Sequence, residues 1–268
     1  MELDDAYANA AYIPGAETYP PRWTEAAQLW RNREAQQGRT RLDLKYGHGA
    51  RERFDLFLPG TLPEAQPPKG LVVFVHGGYW LKFDRSYWSH LAAGPVARGW
   101  AVVMPSYDLC PNAPISEITR QVAQAVNVAA ELVPGRLALT GHSAGGHLVA
   151  RMLEPGLLET NVAKRLTRVV PISPVADLRP LLRTSMNADL RLDMAEAEAE
   201  SPVLLADRLN VPVTVWVGAD ERPAFLDQAG WLADAWGCDK VIAEGRHHFD
   251  VIEPLEIADS DLVETLLG

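Results

Sequence analysis

Length, composition and charge exclude several classes of protein. A chain of 268 residues with 47% hydrophobic and 22% charged residues can bury a large core. Its 25 basic and 35 acidic side chains give a net charge of −10, which argues against nucleic-acid binding because such proteins usually carry a basic face.

The first part of the chain precedes any regular alternation of strands and helices. Residues 1–38 are rich in Tyr, Pro and Ala and end in an amphipathic stretch at 24–37, so we expect an N-terminal arm that lies over the domain. Alternating apolar and polar residues at 42–46 and 54–58 predict two half-buried, paired strands. The segment 59–69 holds four prolines and predicts a surface loop.

Continuous apolar runs then alternate with helical patterns. Such runs are typical of strands buried on both faces of a parallel sheet. They lie at 71–75, 101–104, 137–140, 169–172 and 213–217, with a shorter one at 240–242. Helices are predicted at 86–98, 114–132, 146–153 and 225–236, with a last one toward Leu267. The fold class is therefore α/β: a mostly parallel eight-stranded sheet with helices on both faces and an antiparallel first pair.

Residues 176–208 interrupt this alternation. Scattered apolar residues are mixed there with an acidic Ala-Glu repeat at 195–200. We predict a small helical cap inserted into one domain that spans residues 1–268.

The sequence Gly-His-Ser-Ala-Gly at 141–145 lies between a predicted strand and a predicted helix. This is the context of a nucleophile elbow, in which flanking glycines permit a strained turn. The turn would project Ser143 into a cleft and aim the Ala144 amide, at a helix N-terminus, toward a carbonyl oxygen. A Gly/Ser-rich loop that matches by chance is the alternative, and two further strand ends argue against it.

The carboxyl ends of parallel strands meet at one edge of a sheet, where ligand groups gather. Gly77 and Gly78 follow the strand at 71–75, and their backbone amides could hold an oxyanion together with that of Ala144. An ordinary Gly-Gly turn is the alternative for this pair.

A serine nucleophile needs a base, and histidine suits that role because its pKa lies near neutral pH. His248 lies in the loop after the last predicted strand, with His247 as the adjacent competitor. A carboxylate at Asp220 or Glu221, after the strand at 213–217, could orient the imidazole.

Taken together, these motifs resemble those of the α/β-hydrolase superfamily over most of the chain. The sequence His-Gly-Gly-Tyr-Trp at 76–80 is similar to a motif of its kynurenine formamidase (arylformamidase) branch. The same branch matches at Tyr107-Asp108 to Pro111, at 141–145 with His147, and at His248-Phe249 with Ile252. The resemblance implies hydrolysis of N-formylkynurenine to kynurenine and formate through a Ser-His-acid triad.

Two positions depart from that branch. Glu221 occupies the acid position where the branch usually carries Asp, and His247 precedes the catalytic histidine where the branch carries Asp. In hydrolases of this fold the acid often falls three residues after the glycine that ends the strand, here Gly218, which favours Glu221 over Asp220.

Two aromatic residues after the oxyanion loop, Tyr79 and Trp80, are predicted to contact an aryl substrate. For Trp80 and Trp88 packing in the core is an equal alternative. A general carboxylesterase acting on short acyl esters would use the same catalytic groups, and a non-catalytic binding protein is an alternative from another class.

The remaining expectations concern cofactors, partners and compartment. The histidines show no metal-ligand spacing, so neither a metal nor another cofactor is expected. The two cysteines, Cys110 and Cys238, and an acidic start without an apolar signal segment fit a reduced cytoplasmic protein. No stretch approaches the roughly 18 consecutive apolar residues of a membrane span. The expected partner is a small-molecule substrate, neither nucleic acid nor membrane, with a homodimer left open.

Overall fold

The computed structural model describes residues 1–60 and 67–268. The surface loop predicted at 59–69 falls largely on residues 61–66, which lie outside the described residues. In the described ranges one sheet contains eight strands. They are β1 (Thr40–Lys45), β2 (Arg53–Phe57), β3 (Gly70–Val75), β4 (Ala101–Pro105), β5 (Arg136–His142), β6 (Leu166–Ile172), β7 (Thr214–Gly218) and β8 (Asp239–Ala243).

The spatial order of the strands is β1-β2-β4-β3-β5-β6-β7-β8. Strand β2 is antiparallel to both of its neighbours, β1 and β4, and the other neighbouring pairs are parallel. The predicted mostly parallel α/β fold is therefore confirmed. Strand β2 is not half-buried as expected but almost entirely buried, because it lies between two strands and under helices.

The helices pack on both faces of the sheet. They are α1 (Tyr19–Gln36), α2 (Ala93–Ala97), α3 (Ile115–Leu132), α4 (Ala144–Arg151), α5 (Thr160–Ala163), α6 (Asn187–Leu190), α7 (Met194–Ala199), α8 (Pro223–Trp236) and α9 (Asp261–Leu267). Successive residues of β3 enter different cores: Val73 packs with α3, α4 and α8, whereas Val72 packs with α1, α2 and α9. Both cores are apolar, which is why the interior strands have continuous apolar runs.

The prediction of a single helix at 86–98 is wrong. The chain instead forms two 3₁₀ turns, Arg85–Tyr87 and Ser89–Ala92, before α2 begins. Pro95 explains the break, because in the interior of a longer helix it would remove a backbone hydrogen bond and clash with the preceding turn. In the first turn of α2 its missing N–H costs nothing.

Two segments outside this alternation border the carboxyl edge of the sheet. Residues before α1 contain the 3₁₀ turns Ala10–Tyr12 and Ala16–Thr18, and α1 then buries Trp23 and Trp30 against the sheet. Residues 176–208 hold α6, α7 and two 3₁₀ segments. Among the described helices, none combines the length and apolarity needed to cross a bilayer.

Candidate active site

Ser143 lies in the sharp turn between β5 and α4. Its φ of 56° and ψ of −115° fall outside the regions that residues other than glycine ordinarily adopt, so the backbone is strained there. The flanking glycines permit the turn: a Cβ at Gly145 would collide with the carbonyl oxygen of Val75, and a Cβ at Gly141 with that of Gly145. This is the backbone geometry of a nucleophile elbow.

Glu221 and His248 form a buried pair at the same edge of the sheet. His248 Nδ1 lies 2.6 Å from Glu221 Oε2, and the Glu221 side chain is fully buried. The other carboxylate oxygen, Oε1, accepts the amide N–H of Gly218 at 2.9 Å and the hydroxyl of Ser173. These bonds fix the carboxylate, which in turn holds the proton of His248 on Nδ1 and leaves Nε2 free to act as a base.

The competing residues are placed elsewhere. Asp220 is exposed, one residue before the buried Glu221. His247 Nε2 lies 3.0 Å from the hydroxyl of Tyr19 in α1. The structure therefore brings His248 and Glu221 together, and leaves Asp220 and His247 out of that pair.

Ser143 and His248 line one cavity of about 350 Å³. The described contacts include no direct hydrogen bond between them, and such catalytic bonds often tighten only in the complex with substrate. The His142 ring lies 4.6 Å from the His248 ring, between centroids. Burial, with a smaller effect of His248, lowers the pKa of His142 well below its ordinary value. His142 is therefore neutral beside the ring that would carry a positive charge during catalysis.

The glycine loop after β3 packs directly against the elbow. A Cβ at Gly77 would lie 3.1 Å from Ser143 Cβ, and Gly78 has a φ of 114°, at which a Cβ would lie 2.5 Å from the carbonyl oxygen of Lys82. In the described part of the chain, neither glycine amide donates to a protein acceptor. Gly77 therefore lies next to Ser143, and Ala144 follows Ser143 as the first residue of α4, so the predicted oxyanion-binding residues border the elbow.

His76 holds the glycine loop in place. Its Nδ1 lies 2.7 Å from the carbonyl oxygen of Gly77, and its ring stacks on Tyr107 with centroids 4.3 Å apart. Burial lowers the pKa of His76 to about 4, so at neutral pH the ring is uncharged and donates one proton. Since the carbonyl and N–H of a trans peptide point in opposite directions, this bond turns the Gly78 N–H away from His76.

The cavity walls are largely apolar, and a third of the lining residues are aromatic. The aromatic lining residues are Tyr7, Trp23, Tyr79, Phe83, Trp88 and Phe249. Tyr79, predicted to contact an aryl substrate, is one of these lining residues, and Trp88 is another. Such walls suit an aryl ligand, because planar rings give a large contact area.

Trp80, also predicted to contact substrate, does not line the cavity and takes the alternative position in the core. Trp80 is fully buried in the core, where its ring packs edge-on against His147 with centroids 5.0 Å apart. Tyr79 and Trp80 both have positive φ, 53° and 57°. Two consecutive left-handed residues reverse the chain, so that Tyr79 faces the cavity and Trp80 turns away from it.

Sequence reasoning missed two contributions to the site. Ser173 follows β6 and donates to Glu221, and its place at the carboxyl end of a strand was a usable signal. Residues 7–11 form part of the cavity wall. Their composition gave no comparable signal, because their position depends on contacts with distant parts of the chain.

Comparison with known proteins shows the family to which the chain belongs. A family model described as alpha/beta hydrolase fold matches residues 72–222. The kynurenine formamidase of Drosophila melanogaster is 31% identical over 247 residues, covering 84% of this chain and 80% of that protein. The kynurenine formamidase of Salmo salar is 29% identical over 243 residues, covering 85% and 81%.

Solved structures share the fold along the whole chain. A protein of Silicibacter sp. TM1040, named as a candidate thioesterase, is 59% identical, with 100% of each chain covered and a TM-score of 0.96. Esterase B of Lactobacillus rhamnosis is 17% identical, with 94% and 91% covered and a TM-score of 0.68, which shows the fold alone.

The chain belongs to the α/β-hydrolase family, and it is an enzyme of the serine-hydrolase type. Within that family it is similar to kynurenine formamidases over most of its length. The resemblance inferred from the motifs is therefore confirmed.

Proposed function

We propose that this enzyme hydrolyses an aryl formamide of the N-formylkynurenine type, with Ser143 as nucleophile, His248 as general base and Glu221 as the orienting acid. One observation carries the proposal: His248 is bound through Nδ1 to a buried carboxylate and lines the same cavity as Ser143. The names of the sequence relatives support the formamide as substrate, and the aromatic walls suit its aryl group.

The reaction would proceed in two steps. His248 Nε2 removes the hydroxyl proton as Ser143 Oγ attacks the formyl carbon, and the amides of Gly77, Gly78 and Ala144 bind the resulting oxyanion. The protonated His248 then gives that proton to the nitrogen of the scissile bond, which leaves as an aryl amine. Water, deprotonated by the same imidazole, attacks the formyl-enzyme, and formate is released as Ser143 regains its proton.

Glu221 would orient His248, the role that an aspartate usually has in the kynurenine formamidase branch. Its side chain is one methylene longer, and the bonds from Gly218 and Ser173 to Oε1 fix the longer side chain so that Oε2 meets His248. The imidazolium that forms during attack then lies against a fixed negative charge.

The test is a substrate panel. Turnover of N-formylkynurenine, 4-nitrophenyl acetate and a short acyl thioester by the wild-type enzyme is compared with turnover by Ser143→Ala. We expect kcat/KM to be highest for the formamide and all three activities to be lost in the variant. A strong preference for the acetate would favour a general carboxylesterase instead, and a preference for the thioester would agree with the name of the Silicibacter relative.

A fluorophosphonate probe tests for catalysis itself. We expect one adduct, on Ser143, that is lost in Ser143→Ala. Folded protein that forms no adduct and turns over none of the three substrates would favour a non-catalytic binding protein.

A further inference from the structure

Asn9 is a buried polar residue in the wall of the catalytic cavity. It is 6% exposed and lies in the N-terminal segment, well away in sequence from the other site residues. A smaller cavity of about 200 Å³ adjoins Glu221. Asn9 and His248 are the two residues that line both cavities, so Asn9 and the proposed general base both lie where the two cavities adjoin.

The hydrogen bonds around Asn9 determine which way its amide faces. Tyr79 donates its hydroxyl proton to the carbonyl oxygen of Tyr7 at 2.8 Å, so the Tyr79 oxygen can only accept a further bond. Burial raises the pKa of the Tyr79 phenol and the Asn9 side chain lowers it, as a nearby N–H donor does, so we place Nδ2 on the side of that hydroxyl. The other atom, Oδ1, is buried and has no partner among the described residues.

Such an acceptor is costly to leave unpaired. An unsatisfied buried polar atom typically destabilises a protein by about 1 to 3 kcal/mol, and native structures contain few of them. An acceptor in a catalytic cavity that lacks a protein partner is explained if the substrate supplies the donor.

Contacts on either side hold the segment in position. Gln228 Nε2 donates to the hydroxyl of Tyr7 at 2.9 Å. The Arg222 guanidinium lies 2.7 Å from a carboxylate oxygen of Asp5 and 3.6 Å from the ring centroid of Tyr12. Asn9 lies between these anchors, so little side-chain entropy would be lost when it binds a ligand.

We propose that Asn9 Oδ1 accepts the N–H of the scissile amide, which makes Asn9 a residue that selects formamides over esters. The inference rests on the proposed function. The leaving atom must lie beside His248 to be protonated, and Asn9 lies with His248 where the two cavities adjoin. An anilide nitrogen presents a hydrogen there, whereas an ester oxygen presents only lone pairs, which Oδ1 would repel.

The experiment uses a matched pair of substrates, 4-nitroformanilide and 4-nitrophenyl formate, corrected for spontaneous hydrolysis. In Asn9→Leu and Asn9→Ala we expect kcat/KM for the amide to fall about tenfold, the usual effect of losing one hydrogen bond. The value for the ester should not fall, because the ester never made that bond and the variants also remove the repulsion between Oδ1 and the ester oxygen. The rate of fluorophosphonate labelling at Ser143 should be unchanged, which shows that the catalytic groups remain in place.

Asp5→Ala is the matched control. It loosens the same segment at its Arg222 anchor without removing Oδ1, so both substrates should change by a similar factor. If the Asn9 variants also lower both substrates equally, Asn9 has only a structural role and the inference is wrong. A wild-type enzyme that cleaves the ester but no formamide would overturn the proposed function, and with it this inference.

Discussion

Glu221→Gln tests the proposed catalytic arrangement most sharply, because the structure dictates how the new amide must orient. Oε1 accepts the Gly218 amide N–H at 2.9 Å, and a backbone N–H can only donate. The carbonyl oxygen of the new glutamine must therefore stay on that side. Its NH₂ group then faces His248 Nδ1, at the position where Oε2 now accepts a hydrogen bond at 2.6 Å.

An NH₂ group facing Nδ1 forces the imidazole into the other tautomer. Nδ1 must then accept, so the proton moves to Nε2, the atom that should take the proton of Ser143. In serine hydrolases this change lowers kcat by about 10⁴-fold, equivalent to about 5 kcal/mol of transition-state stabilisation. Asp220→Asn changes an exposed carboxylate outside the pair, and we expect kcat to stay within about twofold.

The assay is kcat for N-formylkynurenine at neutral pH, with thermal unfolding to show that both variants fold. Because Gln has nearly the shape of Glu, the packing of the site is retained and loss of activity reports on the tautomer. The reasoning is refuted if folded Glu221→Gln keeps more than about a tenth of wild-type kcat. It is also refuted if Asp220→Asn is the more damaged variant.

Three further predictions concern stability and packing. Burial lowers the pKa of His76 to about 4 and that of His147 to about 3, so the unfolded chain binds protons that the folded chain cannot. The stability that the neutral histidines contribute should be retained in full above pH 6.5, and the free energy of unfolding should fall as the pH drops toward 4. Urea midpoints that do not change over this range would contradict this. Trp80→Phe should lower the melting temperature but leave KM unchanged, whereas a raised KM would place Trp80 in the substrate site. Gly145→Ala should lower the melting temperature strongly, because its Cβ meets the backbone of Val75, and an unchanged melting temperature would show that the elbow can relax.

The proposed reacting groups could be found from sequence because each is specified by local constraints. The elbow needs glycine at 141 and 145 because the turn folds back on itself and against β3, and apolar runs in the sequence mark the buried strands before Ser143 and Glu221. The sheet then brings these strand ends together. At these positions the local sequence pattern and the strand order of the sheet favour the same arrangement, so the motifs were enough to identify the residues.

The cavity wall could not be predicted in the same way. The place of residues 7–11 is set by contacts across more than 200 positions, such as the bonds of Tyr7 with Gln228 and of Asp5 with Arg222. The direction of Trp80 depends on two consecutive positive φ values, which neither Tyr nor Trp favours by itself. Tertiary packing determines both features, and no short sequence pattern encodes them.

The proposed reacting groups and the cavity wall therefore depend on different parts of the chain. The groups that would break and form bonds come from the carboxyl edge of the sheet. Part of the cavity wall comes from the N-terminal segment, which side-chain contacts hold to the sheet edge. Formamide and ester hydrolysis need the same nucleophile, base and oxyanion site, so the choice between them must lie with residues that touch the leaving group. In the part of the chain that the structure describes, Asn9 Oδ1 in this segment has no partner, and on the proposed function the substrate preference should change when Asn9 is altered.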